Sequence, residues 1–178
     1  MMPAQTPVYL VDLFTAVVVN TATEMGISIH SEYGPIDEIR ASLKEMSEYP
    51  DAANPKYPLI AMYDWDEDRG KNRDLFSDTK VNIIIATLTD QTWKSGKRYT
   101  ESYKAVLVPI YMEFLRQIEL SGYFKCDQDQ TTIPHGYKDE LDYGRTQEFI
   151  KSVGAVDFID AISIKNMVLK VNPINPNR

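Results

Sequence analysis

Cysteine is almost missing from this sequence, and histidine nearly so: Cys126 stands alone, and His30 and His135 are the two imidazoles. A single thiol cannot close a bridge within the chain, which excludes a disulfide-built fold and favours a reducing compartment. Two histidines so far apart, with no cysteine pair, do not make a zinc site of ordinary spacing. No unbroken apolar run approaches the roughly 18 residues that span a bilayer. The opening stretch, residues 1–19, is apolar but carries Asp12 and lacks a basic start, so it does not read as a signal peptide. Phosphate-cradling glycine loops are missing as well. Gly34, Gly70, Gly96 and Gly122 are isolated, and Ser95-Gly96-Lys97 lacks the preceding glycine of a Walker loop. There is no internal repeat and no low-complexity tract.

What is present is ordinary globular material. The 178 residues are 43% hydrophobic and 25% charged, enough for one domain with a sizeable core. We read residues 1–171 as a single domain and residues 172–178, with two prolines, as an extended C-terminal arm. Net charge is −7 and the isoelectric point is near 4.9. That balance repels phosphate backbones on average and argues against a protein that grips nucleic acid.

Hydrophobic spacing orders the elements. Leu10, Leu13, Phe14, Val17, Val18 and Met25 recur at helical intervals and end at Gly26. Ile27 and Ile29 alternate with polar residues, a short strand signal. Pro35 suits a first helical turn, followed by Asp37 and Glu38 and by an apolar stripe of Ile36, Ile39, Leu43 and Met46. Leu59–Tyr63 and Val81–Thr89 read as strands, the second apolar on both faces and therefore central. The polar run Asp64–Asp78 between them reads as a long hairpin loop. From Lys97 to Ser121, Tyr99, Tyr103, Val106, Leu107, Ile110, Tyr111, Phe114 and Ile118 mark one face of a long helix, which Pro109 should kink. Residues 123–150 are weakly patterned, with strand expected around Thr131–Tyr143, and Val156–Val171 is a strong terminal strand. The expected fold is α+β: a small mixed or antiparallel sheet flanked by an N-terminal helix and one long Pro-kinked helix.

Each candidate site has a plainer reading beside it. Asp64-Trp65-Asp66-Glu67-Asp68-Arg69-Gly70 starts like a calcium loop. However, Arg69 stands where the turn needs glycine, and Leu75 where the bidentate glutamate belongs. A solvated hairpin tip is the better reading. Cys126, with His135 or His30 as base and Asp127 or Asp129 as orienter, would make a thiol nucleophile, but its flanks carry no motif. Lys94, Lys97, Arg98 and Lys104 lie among Trp93, Tyr99 and Tyr103, a composition suited to single-stranded nucleic acid. The two tyrosines fall on the apolar stripe, and we assign both to the core. Residues 32–68 are acidic and residues 161–178 are basic, a division that suits head-to-tail association of copies. We therefore expect no catalytic, cofactor-binding or metal-binding residues.

The passage VNIIIATLTDQTWKSGKRYTESYKAVLVPIYMEFLRQIELSGYF resembles a stretch of tail-terminator-like proteins from bacteriophage and prophage tail and neck modules. YPLIAMYD resembles their first sheet strand, and HGYKDELDYG and VDFIDAISIKNMVLKV resemble their closing segments, so the likeness covers residues 57–171. It rests on hydrophobic pattern and element order, with no catalytic signature. It implies a small mixed sheet with flanking helices and no cofactor. It implies a ring of copies, commonly a hexamer, that caps the tail tube and meets the head-side connector in the virion. DNA would pass through such an acidic ring without specific recognition, and no membrane is involved. On this reading the candidate contact residues are Asp64, Trp65, Asp66, Asp68, Arg69, Lys71 and Arg73 of the loop, with Lys165, Lys170 and Arg178 of the basic end. Another neck or portal-adaptor ring protein, or a small Cys126-dependent enzyme, is the alternative.

Overall fold

The apolar stripe of the long helix needs a surface to cover it, and the strand patterns supply one. A computed structural model describes residues 9–50, 55–68, 77–125, 133–141 and 157–171. It contains α1 (Leu10–Met25), β1 (His30–Tyr33), α2 (Ile36–Glu48), β2 (Leu59–Asp68) and β3 (Ser77–Leu88). A long helix follows, made of α3 (Ser95–Arg98), a π-helical stretch (Tyr99–Leu107) and α4 (Val108–Leu120). The last elements are β4 (Phe124–Lys125), β5 (Gly136–Glu140) and β6 (Ile159–Val171). The fold is α+β, as expected, and the sheet is mixed. Its order is β1-β2-β3-β6, with β4 and β5 both paired to the far side of β6. β1 is parallel to β2, and every other pair is antiparallel.

α1 ends where its sequence says it should. Gly26 takes φ 64°, and the following amide of Ile27 returns to the Ala22 carbonyl at 3.1 Å. Only a residue without Cβ adopts that left-handed cap cheaply. The helix then packs its Leu13, Phe14, Val17 and Val18 against α4 and the sheet, with Phe14 meeting Phe114 edge to face at 6.3 Å.

The long helix lies on the same face of the sheet. Tyr103, Leu107, Ile110, Phe114 and Ile118 are buried against Ile60, Met62, Ile83, Ile85, Ile162 and Ile164. The structure adds one feature here and corrects one expectation. Pro109 follows a widened stretch of helix: the Val108 amide bonds the Tyr103 carbonyl, five residues back. A proline ring collides with the carbonyl four residues before it and offers no donor, and the wider π turn relieves both demands. Tyr99 is the correction: it is 52% exposed at the start of the π-helical stretch, its ring stacked 6.3 Å from that of fully buried Tyr103.

Other boundaries shift as well. The first strand begins at His30, after the Ile27–Ile29 pair. Both ends of the expected Asp64–Asp78 loop are strand: β2 runs on to Asp68 and β3 starts at Ser77, and residues 69–76 lie outside the described residues. Strand pairing with β3 captures this polar run, which has no apolar alternation to announce it. The strand expected around Thr131–Tyr143 is β5, over Gly136–Glu140. The arm at residues 172–178 lies outside the described residues.

The other sheet face carries a smaller core. Ile39 of α2 sits over Leu59, Ala61, Ile84, Ala86, Ile159 and Ala161. Three alanines there let a short helix approach closely.

Truncating the seam between helices and sheet tests this account. Phe114→Ala is expected to lower stability by about 3–5 kcal/mol, the usual loss for a buried phenylalanine. In urea unfolding the midpoint should fall with an unchanged slope.

Candidate interaction surfaces

The acidic and basic segments singled out in the sequence meet at one end of the sheet. Asp66 lies opposite Lys80, and Asp68 lies opposite Asp78, which in turn lies opposite Lys170. The described parts of the two segments, on β2 and β6, therefore sit two strands apart, separated by β3. The register slips in β2 between Tyr63 and Asp66, where Asp64 takes φ 47°. It slips in β6 between Ile164 and Met167, where Asn166 takes φ 51° and its amide bonds Asn82 Oδ1 at 2.9 Å. Both bulges fall beside Asn82 and bend the three strands together at that level. Beyond the bend, Asp64 and Asp66 are exposed, Trp65 is 38% exposed, Lys165 is exposed and Lys170 is half-buried. Arg69, Lys71, Arg73 and Arg178 lie outside the described residues, as does Cys126.

The two histidines are held apart. His30 is on β1, where Nε2 meets Glu32 Oε1 at 2.9 Å, and Ser42 Oγ of α2 donates to the same oxygen at 2.7 Å. His135 precedes β5, with Nε2 2.8 Å from the Tyr111 hydroxyl and Nδ1 2.6 Å from the Ile133 carbonyl. β1 and β5 are opposite ends of the sheet, so the imidazoles cannot share a substrate. Among the described residues, no group of three or more His, Cys, Asp or Glu is placed to hold a metal, and no helix is long and apolar enough to cross a membrane.

The basic cluster around the start of the long helix divides in two. Arg98 is buried (3% exposed) and pairs with fully buried Asp160 at 3.3 Å, while its Nε donates to the Trp93 carbonyl at 3.0 Å and Nη2 to the Asp90 carbonyl at 3.4 Å. It fastens the loop after β3 to the start of β6. Sequence reasoning grouped Arg98 with the neighbouring lysines, because its partner lies 62 residues away. Lys97 and Lys104 stay outside, over the rings of Trp93 and Tyr99 at 4.6 and 5.2 Å.

A second tie fastens the other approach to β6. Lys56 pairs with Asp157 and donates to Ser47 Oγ, and the Tyr57 hydroxyl donates to Asp157 Oδ2 at 3.2 Å. Burial, and then the Asp157 charge, push the Tyr57 hydroxyl well above the ordinary tyrosine range; burial does the same to Tyr103, followed by Asp160. Space between α1, α4 and the sheet is lined by apolar groups such as Leu10, Phe14, Met62, Phe114 and Leu169, and offers no polar atom for chemistry.

The surface features that sequence reasoning passed over are the sheet edges. Tyr33 on β1 is 52% exposed, and Tyr137 on β5 is 44% exposed, its ring 5.1 Å from that of Tyr111. Tyr137, followed by the charged Lys138, Asp139 and Glu140, was the available signal, and it is too short and polar to stand out. A comparison with protein-family models and with curated protein sequences returns no match.

Two measurements follow. Arg98→Ala leaves Asp160 buried without its cation and is expected to cost about 3–5 kcal/mol, while Arg98→Met with Asp160→Leu should recover most of that loss in chemical denaturation. On alkaline titration, the fold favours the protonated forms of Tyr57 and Tyr103. Their contribution to stability is complete below the ordinary value of about 10 and is lost as pH rises through their raised native values. Tyrosinate absorbance should therefore appear in two stages, with Tyr57→Phe and Tyr103→Phe each removing one late-ionising group.

Proposed function

We propose that this chain is a structural subunit of a homo-oligomeric ring of the tail-terminator or neck type, joining a phage tail tube to the head-side connector. The observation that carries this reading is the pair of sheet ends. Among the described residues, β1 and β5 each have one paired neighbour, and they lie at opposite ends of the same sheet with unlike sequences. Two different end surfaces on one subunit suit head-to-tail association, which closes into a ring when the rotation per step divides a full turn. The mixed sheet with helices packed on it agrees with the architecture that the resemblance implies. A net charge of −7 suits a conduit that DNA crosses without being retained.

In this role the chain does no covalent chemistry. Its helix–sheet core supplies rigidity, and its ends supply contacts to neighbouring copies above and beside it.

Light scattering on the purified chain is expected to give a discrete multiple of the 20.4 kDa protomer mass, and electron microscopy of the same sample should show closed rings. Immunogold labelling of virions made by the phage or lysogen that encodes the chain should place it at the head–tail junction. Virions without label at that junction would end this reading.

A further inference from the structure

The two sheet ends match each other in direction, in hydrogen-bonding order and in side-chain chemistry. Pairing fixes the strand directions: β1, β2 and β6 run one way, and β3 and β5 run the other. Copies related by a simple rotation would therefore bring β5 of one beside β1 of the next in antiparallel alignment. β1 has four residues and β5 has five.

Backbone order comes next. The amides of His30 and Gly34 donate inward to Pro58 and Met62, so Ser31 and Tyr33 turn their backbone groups outward. Pro134 offers its carbonyl inward to Val168, and Phe158 offers its carbonyl away from β5 to Thr89. By alternation along β5 and β6, Gly136, Lys138 and Glu140 point inward, and Tyr137 and Asp139 point outward.

Faces agree too. Glu32 reaches Ser42 of α2, and Lys138 lies opposite Ser163, which lies opposite Ile84 of the core beneath α2. Tyr33 lies opposite Met62 of the core beneath the long helix, and Tyr137 touches Tyr111 on that helix. Thus Glu32 and Lys138 share one face, and Tyr33 and Tyr137 the other.

We infer that copies of this chain join edge to edge, with β5 adding antiparallel to β1 of the next copy and Tyr137 opposite Tyr33, Lys138 opposite Glu32, Asp139 opposite Ser31 and Glu140 opposite His30. This rests on the ring reading and names its joint. In that register Tyr137–Tyr33 and Asp139–Ser31 are the hydrogen-bonded pairs and exchange four backbone bonds. Lys138–Glu32 is an opposite-charge pair and Tyr137–Tyr33 an aromatic pair, the two kinds that stabilise neighbouring strands. A shift of two residues one way sets Glu140 against Glu32, and two the other way sets Lys138 against His30. A shift of one turns every side chain to the wrong face. Within the isolated chain Lys138 reaches Glu140 at 2.7 Å, and Glu32 binds His30 and Ser42, so the joint exchanges or adds partners without creating a buried lone charge.

Cysteine mapping in a Cys126→Ser chain tests the joint. Lys138 and Glu32 would form a non-hydrogen-bonded pair with Cα atoms about 4.5 Å apart, within disulfide reach. Mild oxidation of Glu32→Cys/Lys138→Cys is expected to give a ladder of chain multiples on non-reducing gels. The misaligned Glu32→Cys/Glu140→Cys should stay at the monomer band. Ser31→Cys/Asp139→Cys repeats the test without disturbing Glu32. A ring mass by light scattering with no ladder from either aligned pair overturns the joint and leaves the ring reading standing; a monomer mass with no ladder overturns both. Charge reversal gives an independent readout. Lys138→Glu should weaken assembly about fivefold, and adding Glu32→Lys should restore it. Failure of that rescue would refute the register.

Discussion

A helix with a proline in its middle has to give up either its straight hydrogen-bonded ladder or the continuity of its buried face. In this chain the ladder yields. Around Pro109 the backbone bonds widen to five-residue steps, and in return Tyr103, Leu107, Ile110, Phe114 and Ile118 all stay on the sheet. Tyr103 fixes the setting. Its ring is buried and its hydroxyl donates to the Ala161 carbonyl at 3.1 Å, which locks the widened turn to β6 at one point along the strand. Each of the five side chains contributes roughly 1.5–3 kcal/mol when buried, so losing the stripe would cost far more than a stretch of imperfect helix. The rest of the architecture follows: α1 packs against α4, and the sheet is ordered by the strands beneath the stripe.

Two polar ties then hold what the hydrophobic effect leaves free. Arg98–Asp160 fastens the loop entering the long helix, and Lys56–Asp157–Tyr57 fastens the chain entering β2; both end at the start of β6. Buried or half-buried ion pairs contribute little net stability because desolvation offsets attraction, but breaking one partner is costly. Their effect here is positional. They fix the start of β6, the strand that carries β5 and β4 on its outer side, and so determine where that end of the molecule presents its backbone.

The sequence made the core legible and left the edges obscure, for a physical reason. Periodicity reports burial, and α1, β3, the long helix and β6 are elements whose apolar residues must all face one way. Their existence and order were readable from residues such as Leu13, Ile83, Phe114 and Ile162. The π-helical stretch was not, since Pro109 announces a disturbance without saying that the backbone bonds widen ahead of it. Asp66 and Asp68 are in a strand because β3 pairs with them, and pairing across a hairpin leaves no mark on a polar sequence. Arg98 could be recognised as buried only with Asp160 in view. β1 and β5 were the hardest elements to see, because strands of four and five residues at a sheet margin bury almost nothing.

That difficulty bears on what the edges do. Short strands carrying lysine and glutamate are the usual means by which soluble proteins keep sheets from pairing, since a mismatched register sets like charges together or leaves them unmatched. The same device becomes selective when a complementary edge exists. In the joint proposed above, Lys138 and Glu140 would reject a strand that presents charge in the wrong order, and Glu32 and His30 would present it in the order that fits. On the proposed ring reading selectivity matters, because a subunit of such a ring has to pair with its own copies and avoid every other exposed strand, and backbone hydrogen bonds alone carry no identity. An apolar edge would have bound more indiscriminately, at the risk of aggregation. In the proposed joint, an edge with opposite charges at Lys138 and Glu140 and one tyrosine on each side would trade affinity for a single allowed alignment, and a ring needs that alignment repeated identically at every step.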